Sequence, residues 1–382
     1  MVQLPQNNDL PVALFEKMLD PLYLTNSYKL YWFFAVFEEI VKGKTEMTFR
    51  SLVAGMISRS WYSLLAYRLN LGKSDMLSDL VHDIHKKYSL KPDIDENELT
   101  ELILNLEDPD IEKCIVRFCK YVPFRLLTVF FDRDLRGLKD HDKNIKIAEL
   151  SQTSGRALYM ILPEDEKIVM HPEWCNYIYA NQTIIRGWVN YKLIYFLQKR
   201  NPSVPAIPFK LYPPVKRDLN PAKKFWARVM CLQDVKDIYT GTVLDPGSIS
   251  IDHFIPWSFV LHDRLWNLVP TTTEMNSRKS DRLPNLDSYL DKYCRLQYNA
   301  FSVAMRNNIS KKQLEDYLDI GINDISSPVE EGVFISSLKN RVLPLYQIAR
   351  NSGFLVWGRY GSEDGGYSVA AECGDGVYFK NT

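Results

Sequence analysis

The chain has 382 residues, 46% of them apolar, and its 47 Lys+Arg balance 47 Asp+Glu to a formal net charge of zero. That length and apolar content support two or three domains with real cores and exclude a disordered chain, while the neutral balance excludes nucleic-acid binding by global attraction, so any such affinity must come from local basic surface. The cysteines at 114, 119, 175, 231, 294 and 373 lack the spacing of a secreted disulfide framework, Met1 to Leu10 lacks the pattern of a signal peptide, and the apolar run Leu30 to Phe37 is too short to span a bilayer, so a reducing, cytoplasmic setting is expected.

In chain order, residues 1–200 read as a mostly helical amino-terminal domain. Ser27 to Gly43 opens on polar residues, carries Tyr31, Trp32, Phe33, Phe34 and Phe37 on all sides and stops at glycine, as a buried helix does. Thr48 to Asn70 repeats apolar residues at Leu52, Val53, Met56, Ile57, Trp61, Leu64 and Leu65, close to helical spacing. Shorter helices are expected at Ser74 to Lys87, Asp95 to Leu106 and Asp110 to Tyr121, the last stopped by Pro123 and carrying Cys114 and Cys119 on one buried face. Ala157 to Leu162 and Lys167 to His171 read as a small hairpin, and an aromatic helix over Pro172 to Lys199 closes this half.

Residues 201–221 hold prolines at 202, 205, 208, 213, 214 and 221, a density that predicts an extended linker. Asn220-Pro221 looks like an N-cap with proline at the first helical position, starting a helix through about Leu232 that enters a module over 222–285. Helices are expected at Leu286 to Arg306 and Lys311 to Leu318, with a third opened by Ser327-Pro328 and Glu330, making a helical carboxy-terminal region over 286–352. The tail 353–382 holds seven of the 17 glycines; Phe354 to Tyr360 reads as a strand and Gly361 to Thr382 as loose or partner-dependent.

Residues 252 to 279 carry the chemistry. Asp252 and His253 stand side by side, and Asn267 and Asn276 follow 14 and 23 residues after the histidine. Hydrolysing a phosphodiester needs a base to deprotonate water and a cation to neutralise the phosphate and the departing 3′-oxygen. His253 can be that base, and a hard divalent ion would take the Asp252 carboxylate and the Asn276 amide oxygen. If Ile249 to Phe254 is a strand, alternation sends Asp252 and His253 to opposite faces, so ligand and base can approach the scissile group from different directions.

These residues resemble the HNH endonucleases of the ββα-metal fold. The family's acid-His pair before Ile-x-Pro, its Asn-Leu-Val, and its Asn or His followed three residues later by Lys are met by Asp252-His253-Phe254-Ile255-Pro256, Asn267-Leu268-Val269 and Asn276 with Lys279. Upstream, residues 237–244 look like the family's first hairpin strand, with Tyr239-Thr240-Gly241 in it. The resemblance implies an α+β fold, a mainly helical protein carrying the nuclease module. It makes His253 the general base, Asn267 the residue that orients the histidine loop, and Asp252 and Asn276 the metal ligands. Lys279 would face phosphate, and Arg278, Arg282 and His262 are further candidates to touch nucleic acid, although a structural role suits His262 better. Further basic residues at Lys216, Arg217, Lys223, Lys224 and Arg228 precede the motif.

Many relatives hold a structural zinc with paired Cys-x-x-Cys motifs, but here only Cys231 lies near the module upstream and no cysteine follows until Cys294, so no structural zinc is expected. Packing of Trp226, Tyr239, Leu244, Trp257 and Trp266 would hold the module instead. Asparagine at 276 tilts the metal toward magnesium or manganese. The resemblance implies nucleic acid as partner, DNA more than RNA, in a restriction or anti-phage defence setting, as a homo-oligomer or beside a partner defence subunit, with no membrane. Two other readings stay open: a non-cleaving DNA-binding scaffold, against which the intact Asp252, His253 and Asn276 argue, and a nuclease subunit active only with a partner such as an ATPase.

Overall fold

Helices form where apolar side chains recur every three to four positions and where a short polar side chain closes the first turn. In the computed structural model, which describes residues 3–20, 24–73, 75–213, 218–309 and 311–358, contacts divide the chain into two compact units. The first comprises Met1–Arg217 with Ser258–Leu261, the second Asp218–Trp257 with His262–Thr382. The fold is α+β and mainly helical, with small sheets.

The first unit contains α1 (Val12–Met18), α2 (Tyr28–Val41), β1 (Glu46–Thr48), α3 (Phe49–Leu65), α4 (Met76–Tyr88), α5 (Glu96–Leu104), α6 (Pro109–Cys119) and α7 (Val122–Leu127). It continues with α8 (Asp140–Thr153), β2 (Tyr159–Leu162), β3 (Lys167–Met170), α9 (Pro172–Ala180) and α10 (Gln182–Arg200). Leu30 to Phe37 are all buried, so α2 is the axis of this core. Gly55 lets α3 close on it, since a Cβ there would lie 3.0 Å from the Ala35 Cβ. Thr48, Asp75 and Asp108 cap α3, α4 and α6 through their side chains.

Several elements differ from the sequence reading for identifiable reasons. The expected hairpin β2–β3 gains a third strand, β1, giving an antiparallel sheet in the order β1-β3-β2; a three-residue strand burying only Met47 is too short to show a period. The single aromatic helix over 172–199 breaks at Asn181, which leaves helical geometry at φ −110° and ψ 20° between α9 and α10. The proline-rich stretch is not wholly extended, because Ile207–Lys210 makes a 3-10 turn with Pro208 in its first turn, where a missing N–H is tolerated. Cys114 and Cys119 are half-buried rather than on the buried face of α6, which Ile111, Ile115 and Phe118 form.

That 3-10 turn buries Lys210 completely, with its Nζ donating to the Phe259 carbonyl and lying over the Tyr67 and Phe259 rings. Burial pulls the ammonium down from its ordinary range to about 7. Between about pH 7 and the ordinary lysine value the unfolded chain holds a proton that the folded chain has released, so this group makes stability rise with pH across that window. Each tenfold loss of proton affinity corresponds to about 1.4 kcal/mol, so the rise amounts to a few kcal/mol at most. Lys210→Met should stabilise the protein at pH 7 and flatten the dependence, and urea unfolding at neutral and alkaline pH checks this. Equal slopes for both proteins would contradict it.

The second unit contains α11 (Asn220–Met230), β4 (Ser250–His253), β5 (Leu268–Thr271), α13 (Thr273–Lys279), β6 (Leu283–Pro284), α14 (Leu286–Arg306), α15 (Lys311–Leu314), α16 (Glu331–Asn351) and β7 (Val356–Trp357); the short helix α12 (Trp257–Val260) lies where the chain passes between the units. β4 pairs antiparallel with β5, and β6 parallel with β7. Residues 237–244 are not a strand: Lys236 and Val243 form one bridge around a tight turn, with Gly241 at φ 79°. The expected helix over 311–318 is α15 followed by a 3-10 helix, Glu315–Ile320. The third helix starts at Glu331 with Glu330 as N-cap rather than at Ser327, and the expected strand over 354–360 shortens to β7. Residues 359–382, including the last two positions of that expected strand, lie outside the described residues.

Candidate active site

Asn267 builds the site. It ends a 3-10 turn, Leu265–Asn267, and is fully buried at the start of β5. Its Nδ2 donates to the Ile255 carbonyl and its Oδ1 accepts from the Ile255 N–H, both at 2.8 Å, while its own carbonyl accepts from Phe254 N–H. These bonds hold the chain just after His253 in a fixed path. Behind them Phe254 stacks on Tyr293 of α14 with ring centroids 3.9 Å apart. Gln297 of α14 donates to the Leu268 carbonyl and is itself held by the Tyr317 hydroxyl.

The acid and the histidine take different partners. Asp252 is 3% exposed, and its Oδ1 accepts from Lys279 Nζ at 3.0 Å while its Oδ2 accepts from the Tyr239 hydroxyl at 2.5 Å. Burial, with the Asp252 and Asp237 carboxylates nearby, pushes the Tyr239 hydroxyl well above the phenol range, so it remains a donor. Tyr239 is wedged edge-on against Tyr289 and Trp357. Its backbone N–H donates to Asp237, whose other oxygen accepts from Thr271 of β5. This chain of bonds fixes the Asp252 carboxylate.

Lys279 does not face phosphate as expected. It is fully buried, and its ammonium also donates to the His253 carbonyl at 2.7 Å. The step of three positions from Asn276 to Lys279 is about one helical turn, which brings the lysine back under β4. Its positive charge stays paired with Asp252 rather than open to solvent.

His253, 6% exposed, places Nε2 at 2.7 Å from Asp263 Oδ1. No sequence signal marks this acid, because nothing in its spacing links Asp263 to His253 until Asn267 folds the loop back. His262 sits against Trp266, and burial with the nearby His253, Arg264 and Arg341 lowers its imidazole to about 4. At neutral pH it therefore offers phosphate no charge. Arg264 is tied to Asp316 and Asp319.

Asn276 stands on α13, its Nδ2 donating to Ser250 Oγ at 2.8 Å and to the Ile251 carbonyl at 3.3 Å. Its Oδ1 accepts no hydrogen bond among the described residues, and each Asp252 oxygen accepts only one and so keeps a lone pair. A carboxylate and an amide oxygen with spare lone pairs suit a hard divalent ion, although no group of three or more His, Cys, Asp or Glu able to hold a metal occurs among the described residues. Of the remaining basic candidates, Arg282 donates to the Arg278 and Lys279 carbonyls and so caps the end of α13. Arg278 is exposed, 3.6 Å from Glu274. Lys223, Lys224 and Arg228 are exposed on α11, and Lys216 and Arg217 lie outside the described residues. Trp226, Tyr239, Leu244 and Trp266 are buried as expected of the packing that holds the module, whereas Trp257 is half-buried.

Residues 237–285 match the family model of the HNH endonucleases. The chain is also similar to the CRISPR-associated endonuclease Cas9 of Listeria innocua serovar 6a, at 28% identity over 135 residues, which is 35% of this chain and 10% of that protein. No solved structure matches the chain. Among the described residues no helix is long and apolar enough to cross a membrane.

Proposed function

From the HNH endonuclease module at residues 237–285, we propose that this chain is a metal-dependent endonuclease that hydrolyses phosphodiester bonds, in DNA rather than RNA, within restriction or anti-phage defence. The observation that carries the reading is the 2.7 Å pair between His253 and Asp263, next to a carboxylate fixed on both oxygens. In this reading Asp263 accepts from an Nε2–H and orients the imidazole that takes the proton from water. Asn267 holds that imidazole in place through Ile255. Asp252 and Asn276 would hold a magnesium or manganese ion, which supplies charge neutralisation at the phosphate and the departing 3′-oxygen.

Arg278 and the exposed lysines of α11, Lys223 and Lys224, would meet the phosphate backbone. Because the chain's net charge is zero, a few such contacts set the affinity, with a salt slope of roughly 0.9 per contact on duplex DNA. Reversing Lys279 is no test of this, since a carboxylate there would face Asp252 in the interior.

Supercoiled plasmid, single-stranded DNA and RNA incubated with magnesium, manganese or chelator test the function. The expected result is plasmid nicking or linearisation that needs the metal. Cleavage persisting in chelator, or none on any substrate, would contradict it. Asn276→Ala should weaken cleavage with partial rescue at high manganese, whereas Glu274→Ala, whose exposed carboxylate lies near Arg278, should change it little. If Glu274→Ala is the more damaging, the ligands are misassigned. Chelator should stop cleavage without lowering the melting temperature, because packing holds the module.

A further inference from the structure

The amino-terminal unit contains a cavity of about 750 Å³, a size suited to ligands, that the nuclease chemistry does not use. It opens among the start of α3, the second half of α6, α7, α8 and the turn between β2 and β3. Its floor is apolar, formed by the buried Phe49, Ile115, Phe124 and Ala148. Val116 of α6 and Ile145 of α8 also line it, yet they are 55% and 50% exposed. Two large aliphatic side chains left in water around one cavity mark apolar surface that a ligand would cover.

A polar observation points the same way. Asn144 lines this cavity too; its Nδ2 donates to the Lys120 carbonyl at 3.0 Å, while its buried Oδ1 has no hydrogen-bond partner. A buried amide oxygen left without a donor is costly, so an incoming N–H would be favoured there.

Charge decides the class of ligand. Glu112, Glu149, Glu164 and Glu166 line the cavity against Arg50 and Lys120. Arg50 is already committed to Glu112 and to the carbonyls of Ile103, Leu104 and Leu106, and Glu149 is paired with Lys146, which leaves Glu164 and Glu166 against Lys120. Glu164 and Glu166 are exposed and form no ion pair among the described residues. An acidic mouth repels a phosphate backbone and attracts cations.

We propose that this cavity docks a basic helical segment of a partner protein. Aliphatic side chains at i, i+3 and i+4 spacing would fill the floor, with Lys or Arg side chains facing Glu164 and Glu166 and an N–H reaching Asn144 Oδ1. Residues 359–382 of this chain, with four carboxylates against two cations, do not match that charge. The inference concerns the helical unit and stands apart from the nuclease reading.

The probe is a labelled synthetic helix of leucine and lysine with its leucines on one face, followed by fluorescence anisotropy with the full chain. A leucine–glutamate helix and a single-stranded oligonucleotide serve as controls. Ile145→Asp and Val116→Asp, at positions already half in water, and the double reversal Glu164→Lys with Glu166→Lys should each weaken binding about tenfold or more, which is about 1.4 kcal/mol. Bound peptide should slow amide exchange in α6 and α8. The charge reversal lies on an exposed turn and keeps the test decisive if an aspartate variant fails to fold. No binding of the leucine–lysine helix, equal binding of the leucine–glutamate helix, unchanged affinity in the folded variants, or protection elsewhere would each overturn the proposal. Weakened oligonucleotide binding by Ile145→Asp would show a nucleic-acid site instead and overturn it too.

Discussion

His253→Ala is expected to lower the cleavage rate by about 100- to 10,000-fold, the usual loss for a general base. The fold should survive, because what holds this loop is Asn267 clamping Ile255 and Phe254 stacking on Tyr293, neither of which involves the imidazole. DNA binding should therefore persist while cleavage collapses. Asp263→Asn offers a finer comparison: an amide can present its NH2 to Nε2 and favour the wrong tautomer, so activity should fall without loss of binding. Full activity of either variant in clean preparations would remove that residue from the mechanism. Full activity of both would leave the pair without a catalytic role.

Asp252→Ala should abolish activity and also destabilise the protein, because it strands the fully buried Lys279 ammonium without its counter-ion. Removing one partner of a buried ion pair typically costs about 3–5 kcal/mol, whereas replacing both by apolar groups is often near neutral. The double variant Asp252→Ala with Lys279→Met should therefore recover most of the lost stability and none of the activity. Thermal melting and plasmid cleavage, measured on the same preparations, separate the two effects. If the single variant melts like the parent, the buried pair is not what the geometry indicates. If the double variant cleaves, Asp252 is not needed for the chemistry. Tyr239→Phe, which removes one hydrogen bond from the same carboxylate, should lower activity with a smaller loss of stability.

The site's backbone was legible in the sequence because His253, Asn267 and Asn276 keep a fixed order around one strand pair and the helix that follows it. Long helices such as α2, α3 and α14 were legible from their apolar spacing. Helix α8 was not, since it buries only Ile147, Ala148 and Ser151 and shows no continuous stripe. The roles of Asp263 and Lys279 were hidden for a different reason. Whether a charged side chain faces solvent or a buried partner depends on what the fold brings to it, here a carboxylate 27 residues away for Lys279 and an imidazole 10 residues away for Asp263. The charge of Arg282 marks it as a candidate phosphate contact, but its contacts with the end of α13 leave no trace in the sequence.

Whether Asp252, His253 and Asn276 together cut nucleic acid with a divalent metal is decided by supercoiled plasmid cleavage in magnesium or manganese, comparing the parent chain with His253→Ala side by side. The parent should convert the plasmid to nicked or linear forms, chelator should stop it, and His253→Ala should leave the plasmid supercoiled while still binding it. Equal cleavage by the two proteins, or cleavage by the parent that continues in chelator, would contradict it.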